Sequence, residues 1–145
     1  MPVLPSQYQG PPFFYFNGHF ETIIPSIRRK VTGVSYERER IETPDDDFLD
    51  IDWVRKGNNR LLVVSHGLEG DSGRHYVTGL AKLFGQNGWD VLAWNNRTCS
   101  GEMNRQKILY HHAASYDLRS VIDHANQKYD YKEIGLVGIS MGGGQ

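Results

Sequence analysis

Three features of the sequence predict an α/β fold with a mostly parallel sheet led by an antiparallel hairpin. Two strand-like stretches flank a Pro-Asp turn, three short apolar runs follow, and two amphipathic helical patterns separate those runs. Strand–helix–strand–helix–strand order joins parallel strands through crossovers.

The hairpin comprises "VSYERERIET" (34–43) and "FLDIDWV" (48–54). The first alternates only partly; the second places Leu49, Ile51 and Trp53 on one face. Pro44-Asp45-Asp46-Asp47 is turn chemistry. Its aspartates read as a solvated turn, because the further oxygen ligands of a calcium loop are missing. "RLLVVSHG" (60–67) is a continuous apolar run, as for a strand covered on both faces. Tyr76, Val77, Leu80, Leu83 and Phe84 then share a helical face, with Asn87-Gly88 as the stop. "WDVLAWN" (89–95) is a second buried strand. After a long polar loop, Leu118, Val121, Ile122, Ala125 and Tyr129 mark a second helix, and "EIGLVGI" (133–139) a third buried strand.

The expected organisation is an arm over residues 1–33 and an α/β region over 34–145. Within the arm, "PPFFYFNGHF" is aromatic-rich but interrupted by Pro11, Pro12, Asn17 and Gly18. It reads as an arm packing its rings onto the domain rather than as a membrane-contacting segment.

A chain of 145 residues is the size of one domain, and 39% hydrophobic with 23% charged residues describes a globular one. A formal net charge of -1 gives no electrostatic reason to expect nucleic acid or an anionic membrane as partner. The single cysteine, Cys99, excludes an internal disulfide and fits a reducing compartment. No apolar run approaches the roughly 18 residues of a membrane-spanning helix, and no secretory signal pattern opens the chain. The expected location is the cytoplasm.

Gly138-Ile139-Ser140-Met141-Gly142 spells G-x-S-x-G. Alone the pattern is weak; its place, at the end of a strand where a helix should start, is that of a nucleophile elbow. Flanking glycines suit it because the serine sits in a strained turn where neighbouring side chains would collide. His66-Gly67-Leu68 ends the first buried strand, in the loop that should supply the other oxyanion donor. Ser140 is therefore the candidate nucleophile, and the backbone N–H groups of Leu68 and Met141 the candidate oxyanion hole. The competing motif reading is a phosphate cradle at Gly138, Gly142, Gly143 and Gly144. No G-x-x-x-x-G-K-[ST] supports it, and G-x-G-x-x-G would need glycine where Ser140 stands.

"HGLEGDSGRHYVTGLAKLF", "NNRTCSGEMNR", "YHHAASYDLRSVID" and "LVGISMGGG", in this order and spacing, resemble the YheT-like branch of the α/β-hydrolase superfamily. "NGHFETIIPS" resembles the segment that precedes that family's first strands. The resemblance runs from about residue 17 to the end. It implies the N-terminal part of an α/β-hydrolase fold and serine esterase chemistry on short- or medium-chain esters or acylglycerols, with no cofactor and no metal. Ser140 matches the family's nucleophile, and Leu68 and Met141 its oxyanion amides. Two departures show: Thr98 where the family's R-G-C-S-G stretch has glycine, and Gly144 where asparagine is common.

In this superfamily the acid and base follow the serine, and neither is present after Ser140. His19, His66, His75, His111, His112 and His124 all precede it, and no motif spacing among them supports a metal site. Cys99 reads as a half-buried side chain rather than a second nucleophile. Asp117 and Arg119 read as structural contacts or a solvated helix face. The chain is therefore expected to be the N-terminal half of a hydrolase, essentially inactive alone. The alternative is a non-catalytic binding module that pairs its open sheet edge with a partner.

Overall fold

A computed structural model describes residues 7–145, so the first six residues of the expected arm lie outside the described residues. The chain divides into two compact units, one ending at Lys30 and the other spanning Val31–Gln145. The smaller contains helix α1 (Gly18–Arg28), which the hydrophobic pattern does not predict. None of its residues is buried, so it carries no core-facing stripe. Its start is set locally by Asn17, whose side chain accepts from the N–H groups of His19 and Phe20 at 3.0 and 3.2 Å. The rings before it meet one another, Phe13 with Phe14 and Phe14 with Tyr15, while Phe16 pairs with Phe20.

The larger unit contains β1 (Glu37–Thr43), β2 (Asp47–Val54), β3 (Arg60–Ser65), α2 (His75–Gln86), β4 (Asp90–Trp94), α3 (Ser115–Lys128) and β5 (Glu133–Gly138). The sheet order is β1-β2-β4-β3-β5. The β1–β2 hairpin is antiparallel and joins β4 antiparallel, whereas β4, β3 and β5 run parallel. This is the predicted class.

The period-2 alternation of strands explains why β3 and β4 read as continuous apolar runs. Leu61, Val63, Leu92 and Trp94 face Val121 and Ala125 of α3. Leu62, Val64, Val91 and Ala93 face Val77 and Ala81 of α2 on the other side. A helix thus covers each face of the central strands, and every second residue must be apolar in both directions.

Three expectations are corrected, those for β5, Leu83 and the aspartate turn. Strand β5 is only partly buried, with Leu136 56% exposed, as the outermost strand beside β3 among the described residues. Leu83 is exposed; the buried stripe of α2 is Val77, Ala81 and Gly85, whose small residues let the helix lie close to the sheet. The polar face of β2 is also buried. Asp50 and Asp52 are paired across the hairpin with Arg40 and Arg38, each in a bidentate pair at 2.8–2.9 Å. Nor is the aspartate turn simply solvated. Asp46 is exposed, but Asp45 and Asp47 bind the buried Arg97 guanidinium at 2.7 and 2.8 Å.

Candidate active site

The site follows from strand register. Ser65, the last residue of β3, pairs with both Trp94 of β4 and Gly138 of β5. The Ile139 N–H donates to the Ser65 carbonyl at 3.1 Å, carrying the pairing past the end of β5. Loops leaving three parallel strands therefore start side by side at one end of the sheet, where open α/β sheets place their ligands.

Ser140 follows immediately. Its φ is +54°, the left-handed region that L-residues other than asparagine and aspartate seldom enter. A short 3-10 turn, Ser140–Gly144, follows it, closed by the Gly142 N–H donating to Ile139 O at 3.0 Å. The flanking glycines are required by contact. A Cβ on Gly138 would run into the Gly142 carbonyl and Gly143 Cα, and one on Gly142 would lie 2.5 Å from His66 O and 2.7 Å from Ser65 O. The Ser140 side chain is exposed, and its hydroxyl bonds to none of the described residues.

The His66–Leu68 loop meets the serine through Gly67, where a Cβ would lie 3.3 Å from Ser140 Cβ and from Ile139 O. His66 is fully buried. Its Nδ1 bonds Gly67 O at 2.7 Å and its Nε2 accepts from the Asn96 N–H at 3.0 Å, which fixes the Nδ1-protonated, neutral tautomer. Burial holds its pKa below the usual imidazole value. With both nitrogens engaged, His66 shapes the loop and is not available as a base. Beyond it, the Gly70 N–H donates to Gly67 O at 3.0 Å, closing a turn with Leu68 exposed and Glu69 at φ +51°. Leu68 makes no hydrogen bond among the described residues. Met141 is half-buried directly after Ser140.

The far end of this loop is held by a polar cluster that has no sequence motif. The Ser72 N–H donates to Asn95 Oδ1 at 2.9 Å, and Ser72 Oγ and Asn95 Nδ2 both donate to Asp52. Burial pushes the Asp52 carboxyl up, but its hydrogen bonds from Arg38, Ser72 and Asn95 outweigh this and hold it below the usual carboxylate value. A second wall follows β4. Leu68, Glu69, Gly70 and Asp71 face Thr98, Cys99, Leu109 and Tyr110 across a pocket of about 550 Å³. Cys99 is half-buried there, and burial raises its thiol pKa, so it is not an activated nucleophile.

The remaining histidines lie in other settings. His124 Nε2 is 3.0 Å from Glu39 Oε1, His75 packs on Tyr76, and His19, His111 and His112 are exposed. Among the described residues, no three His, Cys, Asp or Glu side chains are grouped to hold a metal ion. No described helix is long and apolar enough to cross a membrane.

Residues 57–145 match the family described as serine aminopeptidase, S33. YheT, a candidate esterase of Escherichia coli (strain K12), is 31% identical over 89% of this chain and 39% of its own length. The embryogenesis-associated protein EMB8 of Picea glauca is 26% identical over 92% of this chain and 33% of its own. This chain thus spans between 33% and 39% of the curated relatives it matches. Among solved structures, the Pyrococcus furiosus esterase Pf2001 superposes with a TM-score of 0.66 at 23% identity, over 79% of this chain and 49% of that one. An α/β serine hydrolase without lid from Xanthomonas campestris gives 0.63 at 19%, over 77% and 54%. These structures support the fold; the family match and the YheT similarity carry the assignment. The chain belongs to the serine aminopeptidase S33 family of hydrolases, within the YheT-like branch of the α/β-hydrolase superfamily.

Proposed function

We propose that Ser140 is the nucleophile of a carboxylic ester hydrolase. The observation that carries this reading is the backbone of Ser140, at φ +54° between two glycines that admit no side chain, at the end of a parallel strand. Such strain at an exposed serine fits a group presented for attack. Ser140 Oγ attacks the acyl carbonyl, the alcohol leaves, and water releases the acid from the acyl-enzyme. The Leu68 and Met141 N–H groups stabilise the oxyanion, at the positions where the family places its donors. Short- or medium-chain esters and acylglycerols are the substrate class that the family suggests.

The base that takes the Ser140 proton is not among these residues. His66 is locked by two hydrogen bonds, and the Ser140 hydroxyl meets no described histidine. The acid and base come from outside the 145 residues, and these residues alone turn over ester negligibly. The lone, inert Cys99 fits action in a reducing compartment such as the cytoplasm.

A fluorophosphonate probe tests the assignment. It should label the full-length protein on the peptide containing Ser140 and leave Ser140→Ala unlabelled. Equal labelling of both proteins would sink it.

A further inference from the structure

Tyr110 lies 41 residues from the turn at Gly67–Gly70, yet the two are directly joined. The Tyr110 hydroxyl accepts from the Glu69 N–H at 2.8 Å. Cys99 lines the same pocket wall as Tyr110. The ring stands edge-on to the His66 imidazole, with centroids 6.4 Å apart.

The residue this contact holds is strained. Glu69 is at φ +51° without being glycine, and an exposed turn would relax from that conformation unless something fixed its amide. The Gly70 N–H to Gly67 O bond closes the turn from within, and the Arg74 guanidinium bonds Glu69 O at 2.8 Å from its outer side. Tyr110 supplies the bond to the amide, directly after Leu68 in sequence. Rotating the Leu68–Glu69 peptide would break that bond and swing the Leu68 carbonyl, loosening the Gly67–Gly70 turn that carries the Leu68 N–H.

We infer that Tyr110 is a positioning residue for the oxyanion hole: its hydroxyl fixes the Glu69 amide and with it the conformation of the Gly67–Gly70 turn that presents the Leu68 N–H. This rests on the reading of Ser140 and Leu68 given above. Oxyanion donors act only where they are aimed at the developing charge, so a small re-aiming lowers the rate of the chemical step and leaves substrate binding largely intact.

Tyr110→Phe in the full-length protein removes one oxygen and keeps the ring on His66. Because Glu69 is exposed, water can take over its N–H, so the variant should keep the wild-type melting temperature. Two readouts are needed. With p-nitrophenyl acetate, kcat should fall about tenfold while KM stays unchanged. In hydrogen exchange, amides of the 67–70 segment should exchange about five- to tenfold faster, with the rest of the chain unaffected. Unchanged exchange over 67–70 would overturn the strut, whatever the kinetics. Faster exchange with wild-type kcat would overturn its positioning role. Full activity in Ser140→Ala would instead defeat the reading of the serine, and the exchange data would still decide whether Tyr110 holds the turn.

Discussion

Arg97 and Asp117 form a closed fork in the interior: Arg97 Nε lies 2.9 Å from Asp117 Oδ2 and Nη2 2.8 Å from Oδ1, with both side chains 1% exposed. The other face of the guanidinium is taken by Asp45 and Asp47 from the hairpin turn. One cation thus ties together the β1–β2 turn, the segment after β4 and the start of α3. That segment leads on to Thr98, Cys99 and Tyr110, so the pocket wall opposite Leu68 is anchored here.

Removing the cation strands two buried carboxylates. Arg97→Met should cost about 3–5 kcal/mol, because Asp47 and Asp117 lose the partner that makes their burial tolerable. Urea denaturation of the two proteins measures it. A loss under about 1 kcal/mol, as for a surface pair, would contradict this account.

Thr98 is the departure from the family's glycine, and it sits at φ +67°. A β-branched residue is strained there, whereas glycine is not. Its N–H bond to Asn104 Oδ1 does not depend on the side chain. Thr98→Gly should therefore stabilise the protein by about 1 kcal/mol, after the extra unfolded-state entropy of glycine is set against the strain relieved. A lowered denaturation midpoint would show that the threonine is not strained.

Much of the architecture was legible in the sequence, for identifiable reasons. The runs 61–64 and 91–94 are apolar at every position because helices cover both faces. The G-x-S-x-G pattern carried its own steric explanation in Gly138 and Gly142. Less visible was what depends on distance. Arg97 meets aspartates about 50 positions earlier, and Asp52, Ser72 and Asn95 converge from three separate segments of the chain. None of these contacts leaves a local period. Strand β5 has the same apolar character as β3 but not its burial, because a run of side chains does not say whether a strand lies inside a sheet or at its edge. Helix α1 left only its cap, Asn17, as a signal, since no residue of it faces a core.

Acid should weaken the hairpin anchor. The Arg97 hydrogen bond holds Asp45 at about 2, below its ordinary 3.8. A carboxyl with a depressed folded pKa stabilises the fold above its unfolded value and loses that contribution as pH falls through the folded one. The Asp45 contribution is thus complete above about pH 4 and fades toward pH 2. Asp45→Asn should flatten the stability profile in that window. An unchanged slope between pH 4 and 2 would contradict the pairing.

Gly142→Ala tests the steric account of the turn. Its methyl would meet His66 O at 2.5 Å and Ser65 O at 2.7 Å, both backbone atoms at the end of β3. The backbone must shift, costing about 1–3 kcal/mol and displacing Ser140 from the Gly67 loop. Reactivity toward a fluorophosphonate should fall more steeply than stability. Wild-type labelling rates in this variant would remove the case for a sterically required turn.

The central claim is that Ser140 carries the acyl group. Full-length protein mixed with excess p-nitrophenyl acetate, quenched in acid within the first turnover and digested, reports this directly by mass. The account predicts one acetyl group on the peptide containing Ser140, formed with a burst of p-nitrophenol, and neither adduct nor burst in Ser140→Ala. An acetyl group on another residue, or a full burst in Ser140→Ala, would contradict it.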